Sequence, residues 1–331
     1  MICPNYFAID GGVSTLVRLA NQSLISSFAR AVSLAAMAAL LIFLPASVSI
    51  ASQEKKPEST GAQKKEDGKV PDQKELEKTR KKSEAVKLSP VETIVEVAIL
   101  AYGGRPNLEA ARKSAQEIGS IRLATDQGDL SGKYNMRSMR REKSWQDLLR
   151  VDLDLAPPSA AQQQGAAPEV KYSVAFNGAS VWSAQNNQYV TPRPDAEAAF
   201  RAQLTHDYTT LLRYREDGSK LELIGPETVV GIETHVIDLT LPSGEKTRYW
   251  ISKEFYRVLH LEYQLNIGQG QEPTKYRISY FYTPYRVVQN TLVPTRRVMY
   301  QNGKFVQEIK LNTINYSAKI EPEVFQHLQE Q

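Results

Sequence analysis

The chain has 331 residues, a single cysteine and a formal net charge of +4. The positive excess lies outside residues 89–331, which hold 28 basic and 28 acidic side chains, whereas residues 53–88 hold eleven basic and eight acidic ones. A nucleic-acid binder needs a concentrated basic face, so this partner is excluded, and the part of the chain after Cys3 has no thiol for disulfides, zinc binding or catalysis.

The N-terminal segment has the pattern of an export signal. Arg30 is followed by the uncharged residues 31–50, which end in small side chains, as a secretory signal does. Cleavage after Ala51 would release a soluble chain, whereas an uncleaved segment is just long enough to span a membrane and to anchor the chain. Both outcomes place the rest of the chain outside the cytoplasm, with residues 1–51 as its leader.

Residues 52–88 predict a disordered, charged tether. They are rich in Lys, Glu, Gln and Pro and nearly free of large apolar side chains. Such a composition buries too little surface to offset the entropy of ordering. The folded domain is therefore predicted over residues 89–331.

This domain is predicted to begin with two helices. Ser89, Pro90 and Glu92 fit a capping box with proline at the first helical position. The first helix ends at Gly103, and Asn107 is the predicted N-cap of the second. Four apolar residues repeat on one face of this second helix, namely Leu108, Ala111, Ala115 and Ile118.

From Ile118 onward the apolar residues alternate with period two, which predicts strands. Short turns such as Asn302-Gly303 favour an antiparallel meander. A third helix is predicted over 195–214, and a long loop over 156–169. The predicted fold class is α+β, with helices covering the concave face of a curved antiparallel sheet.

Residues with catalytic or metal-binding potential form no recognisable motif. The four histidines are scattered singly, and Asp152 and Asp154 fit the solvated face of a strand. We therefore predict no enzyme activity, no metal and no cofactor. The tyrosine-rich run from Tyr276 to Tyr285 fits either a cavity wall or ordinary packing on a pleated sheet.

Six short patterns resemble, in their order, the LolA/LolB-like superfamily, which includes proteins labelled outer-membrane lipoprotein-sorting proteins. The patterns are Ala101-Tyr102-Gly103-Gly104 with Leu108; Asn177-Gly178 with Trp182; Gly225 to Gly231 with Val236, Ile237 and Leu239; Tyr249-Trp250-Ile251; Tyr285-Arg286 with Leu292-Val293-Pro294; and Ile320 with Phe325. The resemblance implies a half-open antiparallel β-barrel whose mouth is covered by helices and whose apolar cavity holds acyl chains.

The expected function is that of a non-enzymatic envelope carrier or sensor for lipid or lipoprotein acyl chains, associated with the membrane through residues 31–50 if the leader is retained. The alternative is an envelope scaffold or regulatory interaction protein, with a protein partner and a β core filled by its own side chains. An apolar cavity of several hundred Å³ would favour the carrier. The predicted cavity residues are Val95, Ile99, Phe200, Leu204, Leu211, Tyr249, Ile251, Tyr276, Ile278 and Tyr280.

Overall fold

The computed structural model describes four stretches of the chain, residues 88–126, 128–156, 170–268 and 273–327. The predicted leader and nearly all of the predicted tether and of the predicted long loop lie outside these stretches. Within them, no helix is both long and apolar enough to cross a membrane.

The helices of the described part are short and separate. The α-helices are α1 Pro90–Ala101, α2 Arg105–Ala111, α3 Pro194–Thr205, α4 Tyr208–Leu212 and α5 Tyr214–Asp217, and 3₁₀ turns occupy Ser144–Gln146 and Pro322–Phe325. Helix α1 starts with the predicted capping box, in which the Glu92 carboxylate accepts from the Ser89 N–H at 2.8 Å and the Ser89 hydroxyl accepts from the Glu92 N–H at 3.3 Å.

The prediction for the second helix was wrong at both ends. Helix α2 starts at Arg105, because Pro106 favours the first turn, and the Asn107 side chain donates to the Gly103 carbonyl from within the helix. The helix ends at Ala111, so Ala115 and Ile118 belong to a strand. The predicted third helix is divided into α3, α4 and α5, because Asp207 starts a new helix by accepting from the Thr209 N–H at 2.9 Å.

Two sheets contain all the strands of the described part. The strands are β1 Ser114–Leu123, β2 Leu130–Met139, β3 Leu148–Ala156, β4 Val170–Phe176, β5 Val181–Gln185, β6 Gln188–Val190, β7 Lys220–Val229, β8 Ile232–Thr240, β9 Lys246–Ser252, β10 Val258–Ile267, β11 Thr274–Tyr282, β12 Tyr285–Val288, β13 Thr291–Pro294, β14 Arg296–Gln301 and β15 Lys304–Tyr316. Strands β12 and β13 form a separate hairpin, and the others form one 13-stranded sheet.

The large sheet consists of two antiparallel meanders joined where β1 pairs with β15. Its strand order is β6-β5-β4-β3-β2-β1-β15-β14-β11-β10-β9-β8-β7. All neighbouring strands are antiparallel, as predicted. The edge strands β6 and β7 do not pair with each other in the described residues, so the sheet is not closed into a barrel.

The corner between α1 and α2 packs closely on the β12–β13 hairpin. A Cβ atom at Gly103 would lie 2.4 Å from the Asn290 carbonyl oxygen, and Gly103 has a φ of +119°. Only glycine satisfies both conditions without strain. This contact fixes the start of α2, which forms one wall of the cavity described below.

The buried apolar side chains form two clusters. The first, here the N-terminal cluster, joins β1–β5 and β15 to α3 and includes Leu123, Leu153 and Phe200. The second, here the α1 cluster, joins α1 and α4 to β8–β11 and includes Ile99 and Ile251. Helices therefore cover one face of the sheet, as the α+β prediction requires.

Candidate functional site

A cavity of about 190 Å³ lies where the two clusters meet. Its floor consists of side chains from six consecutive strands of the sheet, β3, β2, β1, β15, β14 and β11. Helix α2, residues 140–147 and the segment from Gln203 to Glu216 form its walls. Because helices and sheet meet here without filling the space, this cavity is the candidate ligand site.

One part of the cavity lining is apolar. It belongs to both clusters, and an acyl chain that enters it would leave water and gain contact with side-chain carbons. The apolar lining residues are Leu108, Ala115, Met136, Leu148, Leu149, Leu204, Leu212 and Ile309.

Five buried tyrosines form a second part of the lining. Burial raises the pKa of each phenol above its ordinary value, so the rings remain neutral and present apolar faces with a hydroxyl at one edge. These residues are Tyr134, Tyr208, Tyr280, Tyr282 and Tyr316.

A charged pair also lines the cavity. Arg297 on β14 donates to both carboxylate oxygens of Glu117 on β1, at 2.8 and 2.7 Å, across the intervening strand β15. The two side chains are only 13% and 5% exposed, respectively. The cavity therefore differs from the purely apolar one that the resemblance implies.

Arg112, at the C-terminal end of α2, is the other arginine placed among the tyrosines. Its guanidinium lies 5.5 Å from the ring centre of Tyr208 and 5.3 Å from that of Tyr316. Its Nη2 donates to the Leu292 carbonyl at 3.0 Å. Arg112 thus brings a positive charge to the end of the lining near α2.

Ion pairs connect residues 140–147 to the helices at the more exposed side of the cavity. Arg213 donates to Asp147 at 2.6 Å, and Arg140 forms an ion pair with Glu216. Burial raises the pKa of Asp147 to about 6 despite the nearby Arg213. Separation of these elements would break this network and widen the mouth of the cavity.

The structure distributes the ten predicted cavity residues unevenly. Leu204 and Tyr280 line the cavity, and Ile278 and Tyr280 line a void of only about 10 Å³. The remaining residues lie away from the cavity lining and pack within or against the two clusters, as with Val95, Ile99, Phe200, Leu211, Tyr249, Ile251 and Tyr276.

The histidines and acidic residues form no metal-binding group of three or more in the described part of the chain. His206 is stacked on Tyr263, with ring centres 3.9 Å apart, and burial lowers its pKa to about 4. Asp152 pairs with Arg137 and Arg150, at 2.5 and 2.9 Å. These contacts give His206 and Asp152 structural roles.

Sequence reasoning missed the charged lining residues. Glu117 lies two residues after the inward-facing Ala115, and Arg297 lies two residues before Met299, so each is on the same face of its strand as that apolar residue, and the period-two pattern contained a signal for both. Arg112 follows the last residue of α2, and no periodic pattern predicts the direction of its side chain.

The chain matches no protein-family model, and no curated protein sequence is significantly similar to it. Several solved structures are similar in fold. A DUF1329 family protein from Desulfovibrio piger has 11% identity to this chain and a TM-score of 0.46. The alignment covers 72% of this chain and 98% of the Desulfovibrio protein.

Two further solved structures belong to the group that the sequence patterns resemble. An outer-membrane lipoprotein-sorting protein domain from Vibrio parahaemolyticus has 12% identity and a TM-score of 0.42, covering 70% of this chain and 94% of its own. A LolA superfamily protein from Nitrosomonas europaea has 13% identity and a TM-score of 0.43, covering 72% and 98%. The function proposed below rests on the cavity of this chain.

Proposed function

We propose that the chain is a non-enzymatic envelope carrier or sensor that binds an acyl chain of a lipid or lipoprotein in the cavity between the central strands and helices α2–α5. The observation that carries this proposal is the unfilled, partly apolar space at the meeting point of two otherwise packed clusters. Each methylene that enters it contributes about 0.8 kcal/mol through its removal from water.

The volume limits what the cavity can hold in this conformation. Its 190 Å³ is smaller than the roughly 300–1,000 Å³ of common small-molecule pockets. It fits part of one acyl chain, so a longer chain requires the cavity to widen. The half-open barrel remains part of the proposal, with its open side between the edge strands β6 and β7, neither of which lines the cavity.

The moving part is proposed to be the unit of α3, α4 and α5, which would separate from residues 140–147. The Asp147–Arg213 and Arg140–Glu216 pairs lie on the side of the cavity where this unit would separate. Helix α1 is a weaker choice for a lid, because Ile99 is only 1% exposed and packs in the α1 cluster. Binding would select the open arrangement of the mobile unit.

The N-terminal part of the proposal comes from the sequence. An export signal over residues 1–51 and a charged tether over 52–88 would hold the domain in the periplasm, free after cleavage or attached to the inner membrane. Sequencing the N-terminus of the native protein distinguishes these states. A start near Ser52 supports cleavage, and an intact leader in the membrane fraction supports the anchor.

The binding test is titration of the full chain with a fluorescent fatty-acyl probe, compared with the variants Leu204→Trp and Leu100→Trp. Leu204 faces the cavity, whereas Leu100 is 70% exposed on α1. We expect saturable binding with about one site, lost in Leu204→Trp and kept in Leu100→Trp. Both variants must first show native-like circular dichroism and melting.

The alternative is an envelope scaffold or regulatory protein, and one observation favours it. The α1 cluster is filled by its own side chains, including Val95, Ile237 and Leu261, each 0% exposed. If the folded wild-type protein binds no acyl probe and carries no co-purified lipid, the carrier proposal is lost. Capture of a specific envelope protein would then support the scaffold.

A further inference from the structure

Arg112 differs from the other arginines that line the cavity. Arg105 pairs with Glu96, Arg140 with Glu216, Arg213 with Asp147 and Arg297 with Glu117. By contrast, Arg112 makes no ion pair with any carboxylate of the described residues, and the only hydrogen bond of its side chain there is to the Leu292 carbonyl. Its charge is therefore not neutralised by direct contact.

The Arg112 side chain also has an N–H donor without an acceptor in the described part of the chain. A guanidinium has five N–H donors in a fixed fork, and the buried Nε of Arg112 has no acceptor among the described residues. The rings of Tyr208 and Tyr316 favour a cation over their faces, but they carry no full negative charge. A half-buried charge in this state favours an anion that can reach it.

The acidic residue Asp207 also lines the cavity, but it has another role. Its Oδ1 accepts from the N–H and the hydroxyl of Thr209, at 2.9 and 2.7 Å, at the start of α4. A carboxylate engaged as a helix cap leaves the fork of Arg112 available for another acceptor.

We infer that the cavity binds a single-chain carboxylate, such as a fatty acid, with its headgroup inside against Arg112 and its chain along the apolar lining. This inference rests on the proposed acyl-binding function and names the ligand class for the same site. A planar carboxylate matches the guanidinium fork. Leu108 and Leu212 form part of the apolar lining of the same cavity.

The size of the cavity sets the chain length that it encloses. Its 190 Å³ lies below the roughly 300–1,000 Å³ of pockets that hold drug-sized ligands. A carboxylate with a few methylenes fills this space, and a longer chain extends through the mouth. Octanoate is therefore a suitable first ligand.

The experiment is calorimetric titration of the full chain with octanoate, octanol and acetate. Octanol has the same chain without the charge, and acetate has the charge without the chain. Charge-assisted hydrogen bonds contribute about 1.5–3 kcal/mol, so octanoate should bind roughly 10–100-fold more tightly than octanol. Acetate should bind more weakly than both.

Two variants test whether Arg112 causes the preference for octanoate over octanol. Arg112→Met should reduce octanoate affinity to that of octanol while leaving octanol unchanged. Arg122→Met, an arginine on β1 that lies outside the cavity lining and is 47% exposed, should leave both affinities unchanged. A folded Arg112→Met protein that binds octanoate like the wild type would overturn the inference.

The outcomes separate this inference from the proposed function. If octanoate and octanol bind equally well and both are lost in Leu204→Trp, acyl binding stands and the headgroup site at Arg112 is wrong. If neither ligand binds, both proposals are wrong. If Arg112→Met does not fold, the comparison of octanoate with octanol on the wild type still decides the question.

Discussion

The α1 cluster and the cavity lining lie on the same face of one sheet, but they differ in how completely side chains fill the space above it. In the α1 cluster the largest side chains, among them Tyr249, Ile251 and Leu261, are 0% exposed and fill the space under α1 and α4. In the cavity lining, apolar side chains alternate with Glu117, Arg297 and Arg112, and space remains. The difference teaches that the helices and the sheet pack fully in one region of this core and leave space between them in the other.

The largest expected effect comes from breaking the buried pair of the cavity floor. Glu117→Leu leaves the charge of Arg297 buried without a counter-charge, so we expect it to lower the free energy of unfolding by about 3–5 kcal/mol. Urea denaturation measures this change. Such a loss would show that the cavity floor depends on a charge pair that the α1 cluster lacks.

The matched control is the double variant Glu117→Leu with Arg297→Met. Replacing a whole buried ion pair by apolar side chains is often neutral, so the double variant should recover most of the lost stability. A double variant as unstable as the single one would mean that the pair is not the reason for the loss.

A second comparison concerns packing in the two regions. Ile99→Ala removes a 1% exposed side chain from the α1 cluster, and we expect it to cost about 2–5 kcal/mol. Leu204→Ala should lie at the low end of this range, because one side of Leu204 faces the cavity and has fewer contacts to lose.

Leu100→Ala is the control for this comparison. Leu100 is adjacent to Ile99 on α1 but 70% exposed, so its truncation should change stability by less than about 0.5 kcal/mol. Equal losses for Ile99→Ala and Leu204→Ala, measured by urea denaturation, would contradict the distinction between a filled and an unfilled region.

The sequence predicted much of the fold because local signals and packing agree. The capping box at Ser89 and Glu92 formed as expected, and the alternation in Tyr172, Val174 and Phe176 gave a buried strand. Ala115 was wrongly placed on a helix, since alanine at helical spacing carries little information about whether a helix or a strand forms.

The candidate site was harder to predict, for a physical reason. Apolar residues on inward faces, such as Ile251 and Leu204, have the same pattern whether they fill a core or line a cavity. Only the fit between α2–α5 and the central strands decides which of these occurs. A search for motifs likewise cannot detect contacts between residues far apart in sequence, such as the hydrogen bonds from Arg297 to Glu117.

The smallest expected effect is the pH dependence of the ion network at the cavity mouth. Asp147 has a pKa of about 6, raised mainly by burial above its ordinary value of 3.8. Between these values the folded chain binds more protons than the unfolded one, so the contribution of Asp147 to stability increases as the pH falls from 7 towards 4. The effect is limited, because the side chain is 24% exposed and water screens its charge.

Urea denaturation of the wild type and of Asp147→Asn at pH 7, 6 and 5 measures this contribution as the difference between their free energies of unfolding. We expect the difference to shift in favour of the wild type as the pH falls. Glu308→Gln is the control of opposite sign, because the hydrogen bond from Arg296 lowers the pKa of Glu308 below 4.5. The difference in free energy of unfolding between the wild type and Glu308→Gln should stay constant from pH 7 to 5 and shrink only in more acidic solution. A difference for Asp147→Asn that stays constant from pH 7 to 5, as for Glu308→Gln, would mean that the Arg213 pair, rather than burial, controls the pKa of this carboxylate.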